Sequence, residues 1–256
     1  MRQLNAFVKK EFMEQLRTGR FIVLLLIFCL FGIMNPAIAK ITPWMMSLMS
    51  DQLAETGMVI GDIAVNAMTS WTQFFKNMDI VLIIFVIMFS GILTAEYQKG
   101  TLINVVTKGL NRWKILASKM TVMMVFWTFG CLLSYGITYG YNAFLWDNSI
   151  AHNIFFAAFC FYLLGIWLLT VILLASVLTR SASGVTLSTG TAFLVVYLLG
   201  LIPQVKMYVP AYLLKSMDLL TGTSHANDYF AAVAVTLIFI VVNIAGSVAV
   251  FNRRDI

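Results

Sequence analysis

The chain has 256 residues, 61% hydrophobic and only 11% charged, with a mean hydropathy of +0.89. Soluble domains carry about 25% charged residues, so this chain lacks the polar surface to dissolve in water and reads as an all-α membrane protein. Its net charge of +6 does not point to nucleic acid, because the basic residues fall between apolar runs and not on one face.

Residues 1–19 are too polar to span. Leu4, Phe7, Val8, Phe12 and Leu16 recur at helical spacing, while Lys9, Lys10, Glu14 and Arg17 fall mostly on the other side. That pattern suits an amphipathic helix in the membrane interface, ended by Gly19. A first span is expected over about 21–38, with Pro36 near its outer end. A basic start, an apolar run and Ala37-Ile38-Ala39 imitate a secretory signal peptide, but a signal's basic region is shorter than this amphipathic helix. Residues 40–73, with Asp51, Glu55 and Asp62, read as a partly helical external segment.

Further spans are expected at about 75–93, 116–139, 154–178, 185–202 and 230–251, each long enough to cross about 30 Å of hydrocarbon. Between the last two, residues 203–229 hold Pro203 and Pro210 around a short apolar piece, 207–220, which fits a re-entrant or interfacial helical pair. Lys76 and Asp79 are placed at the outer mouth of the second span, where they could pair. Asn243, inside the sixth, suits an interhelical hydrogen bond. Gly136 and Gly140 form GxxxG, and Gly184, Ser188 and Ala192 form a four-residue ladder. Such small-residue faces serve packing within one subunit or a dimer seam.

Of the 17 Lys and Arg residues, 13 fall in 1–20, 96–119, 179–184 and 252–256, and 4 in the alternate segments. The positive-inside rule then places both termini in the cytoplasm. No GxxxxGK[ST], GxSxG or HExxH motif is present, so neither ATP binding of that type nor catalysis is expected of this chain. Cys29, Cys131 and Cys160 sit in apolar runs without a CxxC pair, and His152 and His225 stand alone, so no metal ligand set is expected.

The most charged internal stretch, 96–119, contains a helix-sized apolar piece, Thr101–Lys108, bracketed by Gly100 and Gly109. Asn111 is placed to cap the next helix. A short helix with an apolar face at a cytoplasmic turn asks for a protein partner; the residues alone also fit an ordinary basic loop anchored to anionic headgroups. Glu96, then Lys99-Gly100-Thr101-Leu102, Thr107, Arg112-x-x-Ile115-Leu116 and Ser118-Lys119 resemble the ABC-2 type permeases of bacterial ABC exporters, and the basic tail 251–255 resembles theirs too. Family members often carry a proline before the small-residue–Arg step, where this chain has Lys108-Gly109-Leu110-Asn111.

The resemblance implies a type V-like fold: an elbow helix, six spans, a coupling helix between spans two and three (96–115), and a re-entrant hairpin before span six. It implies a multi-pass protein of the bacterial plasma membrane. The apolar, Met- and Phe-rich spans suit an amphipathic or lipophilic cargo such as a peptide, antibiotic or lipid, and equally suit ordinary helix–helix contacts. The implied partners are two cytoplasmic ATPase subunits, which would carry ATP and Mg, a second permease subunit (identical or a sister) and membrane lipid. This chain itself would hold no cofactor. The coupling positions would be Glu96, Tyr97, Lys99, Gly100, Thr101, Leu102, Val105, Lys108 and Arg112. The residues alone leave open a peptide-binding immunity or sensory protein without an ATPase, and the missing catalytic constellation disfavours a membrane enzyme.

Overall fold

The structure is a computed structural model that describes residues 2–54, 65–107 and 111–254, without the side chains of 2, 49–54 and 104–106. Among the described residues all regular structure is helical. Helix α1 (Arg2–Arg17) is followed by a turn at Gly19, whose φ of +73° is the left-handed conformation glycine adopts most freely. Then come α2 (Arg20–Ala54), α3 (Ala67–Phe89), α4 (Thr94–Gln98), α5 (Thr101–Thr107), α6 (Arg112–Leu145), α7 (Ile154–Leu178), α8 (Ala182–Leu199), α9 (Met217–Leu220) and α10 (Phe230–Arg253). Among the described residues six helical stretches are long and apolar enough to cross a membrane: Arg20–Leu48, Ala67–Gln98, Arg112–Leu145, Ile154–Leu178, Ala182–Leu199 and Ala226–Arg253.

Three expectations need correction. The first span does not stop near Pro36; α2 continues to Ala54 through Pro36 and Pro43. Pro36 has no N–H to offer the Gly32 carbonyl, and Thr138 on α6 donates its hydroxyl to that carbonyl at 3.0 Å. A neighbouring helix thus satisfies the group that proline frees, which is how membrane helices tolerate the residue. The external segment therefore shrinks, and Glu55 and Asp62 lie outside the described residues. The helix of the second span begins at Ala67, ahead of Lys76 and Asp79, and no ion pair joins those two. Asn111 does occupy the N-cap of α6, but its side chain makes no capping hydrogen bond.

The bundle is organised around α7, which packs against α6, α8 and α10. Trp127 of α6 is fully buried at the centre and donates Nε1–H to the Tyr162 carbonyl at 3.1 Å. Its ring lies over Gly165 of α7, where an added Cβ would fall 2.2 Å from it, and the Phe28 ring lies over Gly130 in the same way. Such small residues let helices approach closely where lipid gives no hydrophobic drive to associate. The glycines of the GxxxG pair do not serve this purpose: Gly136 and Gly140 are exposed, with nothing within 4 Å of an added Cβ. Asn243 of α10 donates to the Thr170 hydroxyl of α7 at 3.1 Å. Cys29, Cys131 and Cys160 are free thiols.

Residues 203–229 form 3₁₀ turns (Lys206–Tyr208, Pro210–Ser216 and Ala226–Tyr229) around the single turn α9, not a pair of regular helices. Tyr212, Leu213, Leu219, Leu220 and Tyr229 bury this cap on the bundle, and the His152 N–H donates to the Leu220 carbonyl at 3.1 Å. At the opposite end lie α1, α4, α5, the start of α6 and the end of α10, called here the terminal face.

Candidate functional site

The terminal face gathers charged and polar side chains around α4. Helix α3 ends at Phe89, and the chain turns through Ser90–Leu93 before α4. In that turn the Glu96 N–H bonds to the Leu93 carbonyl, which leaves the Ile92 carbonyl without that helical partner. Lys119 of α6 fills the gap. Its ammonium donates to the Ile92 carbonyl at 2.8 Å and to Glu11 Oε2 of α1 at 3.0 Å, and lies 3.1 Å from Glu96 Oε2 without hydrogen-bond alignment. Lys119 and Glu11 are each 1% exposed. Lys10 closes the cluster from the water side, reaching Glu96 Oε1 at 2.8 Å, Glu11 Oε1 at 2.9 Å and Glu14 Oε2 at 3.2 Å.

Burial by itself would lower the pKa of the Lys10 ammonium; its hydrogen bonds to Glu96 and Glu11 outweigh that and raise it. Glu11, Glu14 and Glu96 bring carboxylate oxygens within 4.8 Å of one another, a spacing that could hold a cation. Two lysine ammoniums already sit among those oxygens, so the charge is compensated from within the chain. Two buried opposite charges persist only when each is paired and hydrogen-bonded, and here the pairing joins three elements: α1, α4 and α6.

The next residues reach other elements. Tyr97 places its ring edge-on to Phe251 of α10 at 6.4 Å, and the Arg254 guanidinium lies 4.8 Å over it. Arg254 also donates to the Val177 carbonyl, and to that of Thr179 at 3.3 Å, at the end of α7. Gln98 donates to the Arg180 carbonyl at 3.3 Å, in the α7–α8 turn. Three consecutive residues of α4 thus touch α1, α6, α10 and the α7–α8 turn. At the start of α6, Arg112 donates to the carbonyls of Phe251 (2.8 Å), Asn252 (3.2 Å) and Arg254. Those carbonyls end α10, where the last turn has no internal partners.

Between these two anchors runs α5. Lys99 and Gly100 are exposed, and Gly100 turns the chain at φ +65°. Leu102 is buried, while Thr101, Ile103 and Thr107 face outward. The sequence-predicted positions Glu96, Tyr97, Lys99, Gly100, Thr101, Leu102 and Arg112 therefore share one region. The Val105 side chain and all of Lys108 lie outside the described residues. Of the small-residue ladder on α8, Ser188 is exposed, and Gly184 and Ala192 are half-buried. Sequence reasoning missed Glu11, and it noted Lys119 and Arg254 in the motif and the basic tail without placing them among the coupling positions. The sequence does carry a signal for Glu11: it sits four residues after Phe7, on the apolar stripe itself, where a carboxylate needs a buried partner.

No curated protein matches the chain by sequence. The family described as ABC-2 family transporter protein does match, over residues 6–256. With six membrane-capable helices and that match across nearly its whole length, the chain belongs to the ABC-2 transporter family and is a multi-pass membrane permease.

Proposed function

We propose that this permease exports an amphipathic or lipophilic substrate across a bacterial plasma membrane, driven by separate ATPase subunits that dock on residues 96–115. Its terminal face, rich in Lys and Arg, is cytoplasmic by the positive-inside rule. In this reading α1 is the interfacial elbow, α5 the coupling helix, and 203–229 the re-entrant hairpin before the last span. ATP and Mg are bound by the ATPase pair, and a second permease subunit completes the pore. The exposed face of α8, with Ser188 and Thr191 among its leucines, suits a protein neighbour better than lipid.

The observation that carries this reading is the convergence on α4. A displacement of α5 acts on a segment held by ion pairs to α1 and α6, by the Tyr97 ring to α10, and by Gln98 to the α7–α8 turn. Packed elements with discrete arrangements transmit motion as rigid bodies rather than by gradual deformation. A binding event on α5 thus has a physical route to most of the spans.

The test is a double substitution, Glu96→Ala with Gly100→Pro. It removes the carboxylate from the cluster and forbids the positive φ at the α4–α5 turn. The variant should lose transport and ATPase stimulation while still inserting in the membrane. If the partner ATPase still co-purifies and is stimulated as before, the coupling assignment fails. If no ATPase co-purifies with the native chain either, the non-coupled peptide-binding alternative takes its place.

A further inference from the structure

Asp79 sits where a carboxylate is costly. It lies on the apolar helix α3, inside the membrane-capable stretch Ala67–Gln98. Ionisable groups within such spans face a protein interior or an aqueous path, and they mark sites of function. Asp79 is exposed in the single chain, and among the described residues it has no ion-pair partner. Lys76, one turn away and also exposed, does not line the same space.

That space is a cavity of about 320 Å³ between α3, α7, α8 and the 3₁₀ turn Pro210–Ser216. Small-molecule sites begin at about this size, and they combine an apolar lining with a few placed polar groups. Here Leu82, Val86, Leu168 and Phe193 supply apolar walls. Thr189 adds a second polar group: it is 1% exposed, lines the cavity, and its hydroxyl has no hydrogen-bond partner. Gly190, at the middle of α8, leaves the wall open, with nothing within 4 Å of an added Cβ. Phe193 and Tyr197 offer aromatic faces, which attract a cation once it is desolvated.

We propose that this cavity binds a hydrophobic organic cation, with Asp79 as its counter-ion, the Thr189 hydroxyl as a polar contact and the aromatic rings of α8 around its apolar body. One isolated carboxylate in an apolar cleft selects for positive charge, because an anion or a neutral body leaves it uncompensated in a medium of low dielectric. This names the cargo class of the exporter reading and rests on that reading only for the word cargo; the site can be tested on the chain alone.

The probes are tetraphenylphosphonium and tetraphenylborate, two ions of the same shape and opposite charge. The full chain is reconstituted in nanodiscs of neutral phosphatidylcholine, and binding is read as the difference from empty nanodiscs. The phosphonium should bind the native chain and lose at least tenfold in affinity with Asp79→Asn, while Asp79→Glu retains binding. Asp79→Asn removes a charge from the apolar layer, so loss of folding is not the expected outcome, and an unchanged melting temperature serves as the control, while tetraphenylborate, repelled by the carboxylate, should bind the native chain little above empty nanodiscs. Gly190→Leu should weaken phosphonium binding by filling the cavity. Equal phosphonium binding to the native and Asp79→Asn chains would overturn the proposal. So would dissociation of a second copy by both Asp79→Asn and Lys76→Gln, which would assign the pair to a seam between copies. If the phosphonium binds as expected but no ATPase co-purifies, the exporter reading falls and the site stands.

Discussion

Helices α7 and α8 are consecutive, both apolar, and joined by a tight turn, yet they live in opposite surroundings. The spanning window of α7 is 83% buried and that of α8 only 11%. Their hydropathies run the same way, 2.5 against 1.6, so the more exposed helix is the more polar one. A helix meant only for lipid would show the reverse, since lipid tails offer nothing to a hydroxyl. The chain therefore has a closed side, held by α7, Trp127 and the Glu11–Lys119–Glu96 cluster. It also has an open side, where Asp79, Thr189 and Ser188 await something other than hydrocarbon. Substitutions on the closed side should cost stability; those on the open side should leave the fold intact and act on function.

The largest effect is expected at Lys119. Replacing it by Met removes the buried cation between Glu11 and Glu96 and leaves them only the half-exposed Lys10, and breaking a buried pair costs up to about 3–5 kcal/mol. Thermal unfolding of the detergent-solubilised chain measures it, and Glu11→Gln added to Lys119→Met should recover part of the loss. A Lys119→Met chain that melts like the native one would mean that the cluster is not part of the closed side.

Next comes Gly165→Ala, whose methyl group collides with the Trp127 ring. Overpacking of this kind costs about 1–3 kcal/mol, whereas Gly136→Ala, made at an open position, should leave the melting temperature unmoved. A smaller loss, about 0.6 kcal/mol, is expected for Asn243→Ala, typical of a single interhelical hydrogen bond in a membrane. Smallest is Ser188→Leu on α8: stability should stay within about 0.5 kcal/mol of native, while cross-linking to the proposed second permease subunit should fall. A destabilised Ser188→Leu chain with unchanged cross-linking would erase the contrast between the two helices.

Several elements are legible in the sequence alone. Residues 154–178 read as a span because their apolar run has the right length, and α7 occupies those same residues. The amphipathic α1, the turn at Gly19 and the short helix after Gly100 follow from periodicity and from glycine's freedom at positive φ. The course of α2 does not follow. Proline ordinarily ends a helix, and at Pro36 the freed Gly32 carbonyl finds its partner in Thr138, about a hundred residues away. The positions proposed for coupling lie together along the sequence, but the contacts that tie Glu96 and Tyr97 to the rest of the bundle come from α1, α6 and α10, far away in the chain.

Sequence by itself determined the class of this protein, its six apolar stretches and the two-sided distribution of basic charge, because those depend on composition and on period along the chain. Tertiary structure alone decided which apolar helix is core and which is surface, which glycines are contacts, and which charges meet. Glu11 and Lys119 lie 108 residues apart and pair within 3.0 Å. Burial and pairing are properties of neighbours in space, and in a chain whose spans are all apolar the pattern of any one span says little about what lies beside it.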